Sequence, residues 1–268
     1  MEHEAPDFDP NTPNVARLYD YYLGGKDHFP VDREAAERIL AVAPEVRAAA
    51  RANRAFLGRA VRHLAESGIR QFLDIGTGLP TQGNVHEVAA KIAPGARVVY
   101  VDRDPVVLVH ARALLTGHGE DTTVVEGDLR NPGDILRDPE VLRTIDFSRP
   151  VAVLLVAIMH FVEESDNPEE ILKTLREAMA PGSYLVMSHG TSDARPDAVS
   201  TGTEVYRNAT ARLALRSRAR IRELFEGFEL VEPGLVWLPE WHPDQADTID
   251  FMDRPESSLI VCGMGRKI

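Results

Sequence analysis

The chain has 268 residues, enough to bury a full core as one large α/β domain. Its formal net charge of −12 argues against nucleic acid as the main partner, because phosphate binding needs a basic footprint. No apolar stretch approaches the ~20 residues of a membrane span, and the acidic start lacks a signal-peptide pattern, so a soluble, cytoplasmic protein is expected, with no membrane partner and with Cys262 as a buried strand residue.

Residues 1 to 12 are acidic and proline-containing without an apolar period, and read as a tail. The pattern predicts a short helix over Val15–Leu23, closed by Gly24 and Gly25. A second helix is expected after Asp32, whose carboxylate is placed to cap the amides of Glu34 and Ala35. A third is expected over 44 to 67, with an apolar stripe at Val46, Ala50, Leu57, Ala60 and Leu64. Asn53 interrupts that stripe, either as a polar contact near a ligand or as a hydrogen-bonded amide in the core, the second being favoured.

After Gly68, short apolar runs alternate with helical segments, as βα units around a mostly parallel sheet do. Strands are expected at 71 to 75, 97 to 101, 122 to 126, 151 to 157, 183 to 188, 228 to 237 and 257 to 264. Helices are expected near 84 to 93, 105 to 116, 168 to 179 and 213 to 226, and 193 to 212 reads as a loop-like insertion. The run 151 to 157 lacks polar alternation, as a strand covered on both faces should. The last two strands follow each other without a helical crossover and should pair antiparallel at one edge.

Three of these strands end in acids. The first runs into Asp74-Ile-Gly76-Thr77-Gly78, where the glycines let backbone approach a ligand, and Asp102 and Asp128 follow the next two. Asp104 and Pro105 read structurally, as an N-cap followed by proline at the first helical position. A nicotinamide-dependent oxidoreductase is a rival reading, but the third glycine of its fingerprint falls at Thr81, and Asp102 follows Gly76 by 26 residues rather than about 20. A serine hydrolase lacks its Gly-x-Ser-x-Gly elbow, and adjacent Ser188 and His189 would point to opposite faces of a strand. The nine histidines show no ligand spacing, so no metal site is expected.

With these pieces in order, residues 68 to 268 resemble the class I methyltransferases that bind S-adenosylmethionine. A closer resemblance, to an actinobacterial group of this class, covers almost the whole chain. It rests on Asn14-Val-Ala-Arg-Leu-Tyr-Asp-Tyr-Tyr-Leu-Gly-Gly-Lys-Asp27, Asp74-Ile-Gly-Thr-Gly-Leu-Pro-Thr81, Asn84-Val-His-Glu-Val88, Val99-Tyr-Val-Asp-Arg-Asp-Pro105 and Glu232-Pro-Gly234. The resemblance implies a Rossmann-like α/β fold with a seven-stranded, mostly parallel sheet and an antiparallel last strand. Residues 1 to 67 would form the tail and a helical cover, and 68 to 268 the methyltransferase domain.

The resemblance also implies site roles. Asp74 and the backbone of Gly76, Thr77 and Gly78 would meet the methionine end of S-adenosylmethionine, or of its product S-adenosylhomocysteine. Asp102 would take the ribose hydroxyls and Arg103 flank the adenine, while Asp128 and the amide of Leu129 would read the adenine edge. Ala157 and Ile158 would floor the sulfonium. A small-molecule acceptor is expected, with His160 as the candidate catalytic residue and Tyr19, Tyr22 and Lys26 on the substrate side, hinged at Gly24 and Gly25. Seven arginines between Arg195 and Arg222 would either face an anionic substrate or, by default, form a solvated helix surface. Pro80 stands where many relatives have a third glycine, which makes the turn longer and stiffer and weakens the case for a helix N-terminus close to the ligand. A cofactor-binding module that transfers no methyl group is the alternative function.

Overall fold

A computed structural model of the protein describes residues 9–81, 83–115, 121–243, 251 and 253–268. Its helices are α1 Val15–Leu23, α2 Pro30–Val42, α3 Val46–Glu66, α4 Val85–Ile92, α5 Pro105–Leu115, α6 Pro132–Arg137, α7 Pro139–Thr144, α8 Pro168–Ala178, α9 Pro196–Arg207 and α10 Arg218–Glu223. The strands are β1 Gln71–Ile75, β2 Arg97–Asp102, β3 Thr122–Glu126, β4 Ala152–Val156, β5 Tyr184–Gly190, β6 Glu229–Leu230, β7 Val236–Trp237 and β8 Ile260–Arg266.

The strands form one sheet in the order β3-β2-β1-β4-β5-β8-β6, with β7 also paired to β8. The first five are parallel, and β8 runs antiparallel to both β5 and β6. The last two expected strands thus pair antiparallel at one end of the sheet, with β8 beside β5 and β6 at the edge.

Alternation along the strands sends side chains to two cores, which is why the runs are apolar throughout. On one face Leu73, Ile75, Val99, Val101, Val153 and Leu155 pack with Ile135, Val141, Leu172 and Ile221 from α6, α7, α8 and α10. On the other, Phe72, Val98, Tyr100, Leu154 and Cys262 meet Phe56, Leu57 and Leu64 of α3 and Val85 and Ala89 of α4. A third cluster, built on Leu18, Tyr22, Ala35, Ile39, Ala50 and Val205, joins α1, α2, α3 and α9 into the helical cover.

Several expected elements differ in extent. The strand expected over 228 to 237 is two short strands, because Pro233 has no amide to donate and the amide of Gly234 turns back to the carbonyl of Val231 at 2.8 Å. The loop-like 193 to 212 contains α9, with Pro196 at its first position. The helix expected over 213 to 226 shrinks to α10, because Ser217 caps it through the amide of Arg220 while Arg216 is held in a bridge with Thr191. Asp32 lies inside α2, where its carboxylate accepts from the amide of Phe29 at 2.8 Å and from the Arg17 guanidinium at 2.7 Å. Asp104 and Pro105 do open α5 as expected, with Asp104 Oδ1 accepting from the amide of Val106 at 2.8 Å. The same cap-then-proline pattern opens α6 at Asn131-Pro132 and α7 at Asp138-Pro139.

Candidate active site

The C-terminal ends of β1 to β4 open onto one cleft of about 480 Å³, at the place where ligands enter open α/β sheets. Asp74, Gly76, Thr77, Gly78, Asp102, Arg103, Asp128, Leu129, Ala157, Ile158 and His160 all line it, as does Tyr19 from the cover. Tyr22 packs in the cover's core and Lys26 is exposed, and neither lines the cleft. The correction has a physical cause: Tyr19 and Tyr22 sit three residues apart on α1, but Tyr22 faces Ala35 and Val205, and Lys26 lies beyond the end of the helix.

The first turn is shaped by close packing. Gly76 adopts φ 78°, and a Cβ there would come within 2.6 Å of the Ile158 side chain, so the loop lies directly on the cleft floor. Gly78 adopts φ 67° with open space where a Cβ would stand, and its amide donates to Asp102 Oδ2 at 2.9 Å. Asp102 Oδ1 accepts from the amide of Asp104 at 3.0 Å, which leaves lone pairs on both oxygens for a ligand. No residue from Leu79 to Val85 lines the cleft among those described, so the N-terminus of α4 stays away, in line with the stiff Pro80 turn.

Charge in the cleft is distributed unevenly. Asp74 is 5% exposed and its carboxylate accepts no hydrogen bond among the described residues. Burial pushes its pKa up to about 7, against the pull of Arg54 and with a push from Asp102. Asp102 is likewise raised, mainly by burial. Asp128 is held below the ordinary carboxylate range, where burial is outweighed by its contacts with Arg130 and by the charge of Arg103. Arg130 Nε lies 3.0 and 3.1 Å from its two oxygens. Arg103 also donates to the carbonyl of Thr210 at 2.8 Å.

Below the floor runs a chain of hydrogen bonds. The amide of Ala157, in the left-handed region at φ 58°, donates to Ser188 Oγ at 2.9 Å. Ser188 Oγ donates to Asn53 Oδ1 at 2.6 Å, Asn53 Nδ2 donates to the Tyr19 hydroxyl at 2.9 Å, and that hydroxyl donates to the carbonyl of Ala50 at 3.1 Å. Asn53 is thus a satisfied core amide that also lines the cleft.

His160 Nδ1 accepts the amide of Gly190 at 3.2 Å, which assigns the ring proton to Nε2. Burial, reinforced by the Arg216 charge, lowers its pKa to about 4, so the ring is neutral near pH 7. Arg216 itself is 5% exposed and donates to Glu164 at 2.6 Å, the carbonyl of Val162 at 2.8 Å and His189 Nε2 at 3.0 Å. Arg220 pairs with Glu164, Glu169 and Glu223, and Arg195 with Glu45. None of the seven arginines between Arg195 and Arg222 lines the cleft, so their role toward an anionic substrate is withdrawn.

A family profile described as S-adenosyl methyltransferase matches residues 1–268. The chain belongs to that family. A candidate methyltransferase from Thermobifida fusca is 42% identical, with all of this chain and 99% of that one aligned at a TM-score of 0.90. A DUF574 family protein from Streptomyces avermitilis is 44% identical over 97% of this chain and 99% of that one, also at 0.90. The mitomycin 7-O-methyltransferase MmcR, 20% identical over 98% of this chain and 74% of that one at 0.53, shares the fold. No curated protein matches.

The methyltransferase is S-adenosylmethionine-dependent and has the class I fold, which removes the nicotinamide reading. The donor set suits that cofactor: a turn pressed onto the floor at Gly76, a buried carboxylate open to the cleft at Asp74, and spare acceptors on Asp102. Among the described residues no helix is long and apolar enough to cross a membrane, and no cluster of His, Cys, Asp and Glu could hold a metal ion. Reading the sequence missed Arg54, Leu57, Phe161 and Tyr206, all of which line the cleft.

Proposed function

We propose that the methyltransferase acts on a small, largely apolar acceptor bound beside the floor residues Ala157 and Ile158. The observation carrying this reading is that one cleft contains both the strand-end acids and a face made by His160, Phe161 and Tyr206. The rings of Phe161 and Tyr206 lie 5.4 Å apart and tilted, forming an apolar wall. The volume falls within the ~300–1,000 Å³ typical of small-molecule sites.

When bound, the cofactor supplies a methyl group on a sulfonium that is already a good leaving group. The chain's own task is to align the acceptor with that methyl and exclude water. In this reading Asp74 and the turn at Gly76, Thr77 and Gly78 hold the amino-acid end, Asp102 holds the ribose, and Arg103, Asp128 and Leu129 surround the adenine. Asp128 already carries Arg130, so the adenine amine would share its oxygens with that guanidinium. His160, with its proton on Nε2, acts as a donor that orients the acceptor. Its Nδ1 lone pair accepts the amide of Gly190, which supports a donor role over that of a general base.

The test is calorimetric titration with S-adenosylmethionine and S-adenosylhomocysteine, followed by a screen of small acceptors read by mass spectrometry. Turnover with one acceptor class is the expected outcome. Tight cofactor binding with no turnover over a broad panel would instead favour a binding module.

A further inference from the structure

Two oppositely charged side chains in the cleft form no ion pair among the described residues. The first is the Asp74 carboxylate, which is nearly buried yet accepts no hydrogen bond among the described residues. The second is Arg54, one residue past Asn53 on α3, whose guanidinium makes a single long hydrogen bond, 3.4 Å to the carbonyl of Gly83, and no ion pair among the described residues. The other arginines lining the cleft are all engaged: Arg17 with Asp32, Arg103 with Thr210 and Asp128, and Arg130 with Asp128. The charge of Arg54 pulls the Asp74 pKa down, with no ion pair between the two among the described residues.

A nearly buried carboxylate that accepts no hydrogen bond, facing the same cleft as a half-buried guanidinium held by one long contact, is an arrangement that a ligand carrying both counter-charges would complete. An α-amino acid end does so, with its ammonium toward Asp74 and its carboxylate toward the forked donors of Arg54. We infer that Arg54 binds the carboxylate of the cofactor's methionine portion and, together with Asp74, makes the cleft select ligands that end in a zwitterionic amino acid. The inference rests on the cofactor placement proposed above. It assigns part of cofactor binding to α3 of the cover, so that the helix carrying Asn53 under the floor also grips the ligand.

The experiment is calorimetry on the full chain with three ligands: S-adenosylmethionine, decarboxylated S-adenosylmethionine, which keeps the ammonium but lacks the carboxylate, and 5′-methylthioadenosine, which lacks both. Arg54→Met should weaken S-adenosylmethionine roughly 10- to 100-fold, leave 5′-methylthioadenosine within about twofold, and abolish the native preference for the carboxylated ligand. Arg54→Lys should recover part of that preference, because a point charge replaces the fork. Thermal unfolding of each variant serves as the control for folding. Equal loss of all three ligands in Arg54→Met would overturn the assignment in favour of a structural role, and so would unchanged S-adenosylmethionine affinity. Failure of the native chain to bind any of the three would instead overturn the cofactor placement, and the clamp with it.

Discussion

Asp102 Oδ2 accepts the amide of Gly78 at 2.9 Å, so the second strand end sets the shape of the loop that follows the first. A single carboxylate both fixes the glycine turn and offers its remaining lone pairs to the cleft. Asp102→Ala is expected to weaken S-adenosylhomocysteine binding by about 1.5–3 kcal/mol, the range for hydrogen bonds to a charged group, without unfolding the protein. Gly78→Val should abolish binding, because φ 67° is strained for a β-branched residue and the new side chain would project into open space at the turn. Titration calorimetry with a thermal melt separates the two effects, and unchanged affinity in both variants would defeat the placement.

Asp74 should give cofactor binding a pH dependence. Its pKa of about 7 means that the ligand-free site is partly protonated at neutral pH, and only the ionised form attracts an ammonium. Affinity should therefore rise as pH increases through about 7 and level off above it. The stability of the ligand-free protein should move the other way. The folded pKa lies above the ordinary 3.8, so this group's contribution is fully present at low pH and is lost between about 4 and 7. Asp74→Asn removes the titration, and the difference between the two stability curves should narrow over that window by up to about 4 kcal/mol. Parallel curves would show that Asp74 titrates normally.

Asn53 is the central link between Tyr19 in the cover and Ser188 under the floor. Asn53→Ala leaves two buried hydroxyls short of a partner and should cost about 1–3 kcal/mol, seen as a drop of several degrees in Tm. Asn53→Asp should be at least as damaging, since its unpaired charge would be buried. A melting temperature equal to the native one would mean that the chain of hydrogen bonds contributes nothing to stability.

His160→Gln should preserve cofactor affinity and lower turnover. With a pKa near 4, His160 should also impose no inflection on the rate between pH 6 and 8. A rate limb near pH 6.5 that disappears in the variant would restore a titrating role, and full turnover would reduce His160 to packing.

Much of this arrangement was legible in the sequence because it is local. Each of the first three strands is a short apolar run ending in an acid, and a parallel sheet brings such ends to one edge, so Asp74, Asp102 and Asp128 meet in the cleft. What was missed depends on how helices pack. Arg54 follows Asn53, and the polar pair interrupting the α3 stripe was the available signal, but which pole of the sheet the stripe faces is set by contacts with Phe72 and Leu154. Phe161 lies in a single 3-10 turn, and Tyr206 is on α9, whose polar sequence reads as loop and whose contact with the cover runs through Val205. The antiparallel pairing of the last strands at one end of the sheet was legible from their short connection, but the break of the first of them into β6 and β7 depends on the turn at Pro233 and Gly234.

Cys262 gives the fold a built-in chemical reporter. The chain's single thiol is fully buried, and burial raises its pKa well above the ordinary value, so alkylating reagents meet neither access nor thiolate in the native state. It stands opposite Ser188 of β5 on one side and Val236 of β7 on the other. Labelling must therefore wait until β8 separates from its neighbours, and the alkylation rate reads the opening of that end of the sheet, without any engineered probe.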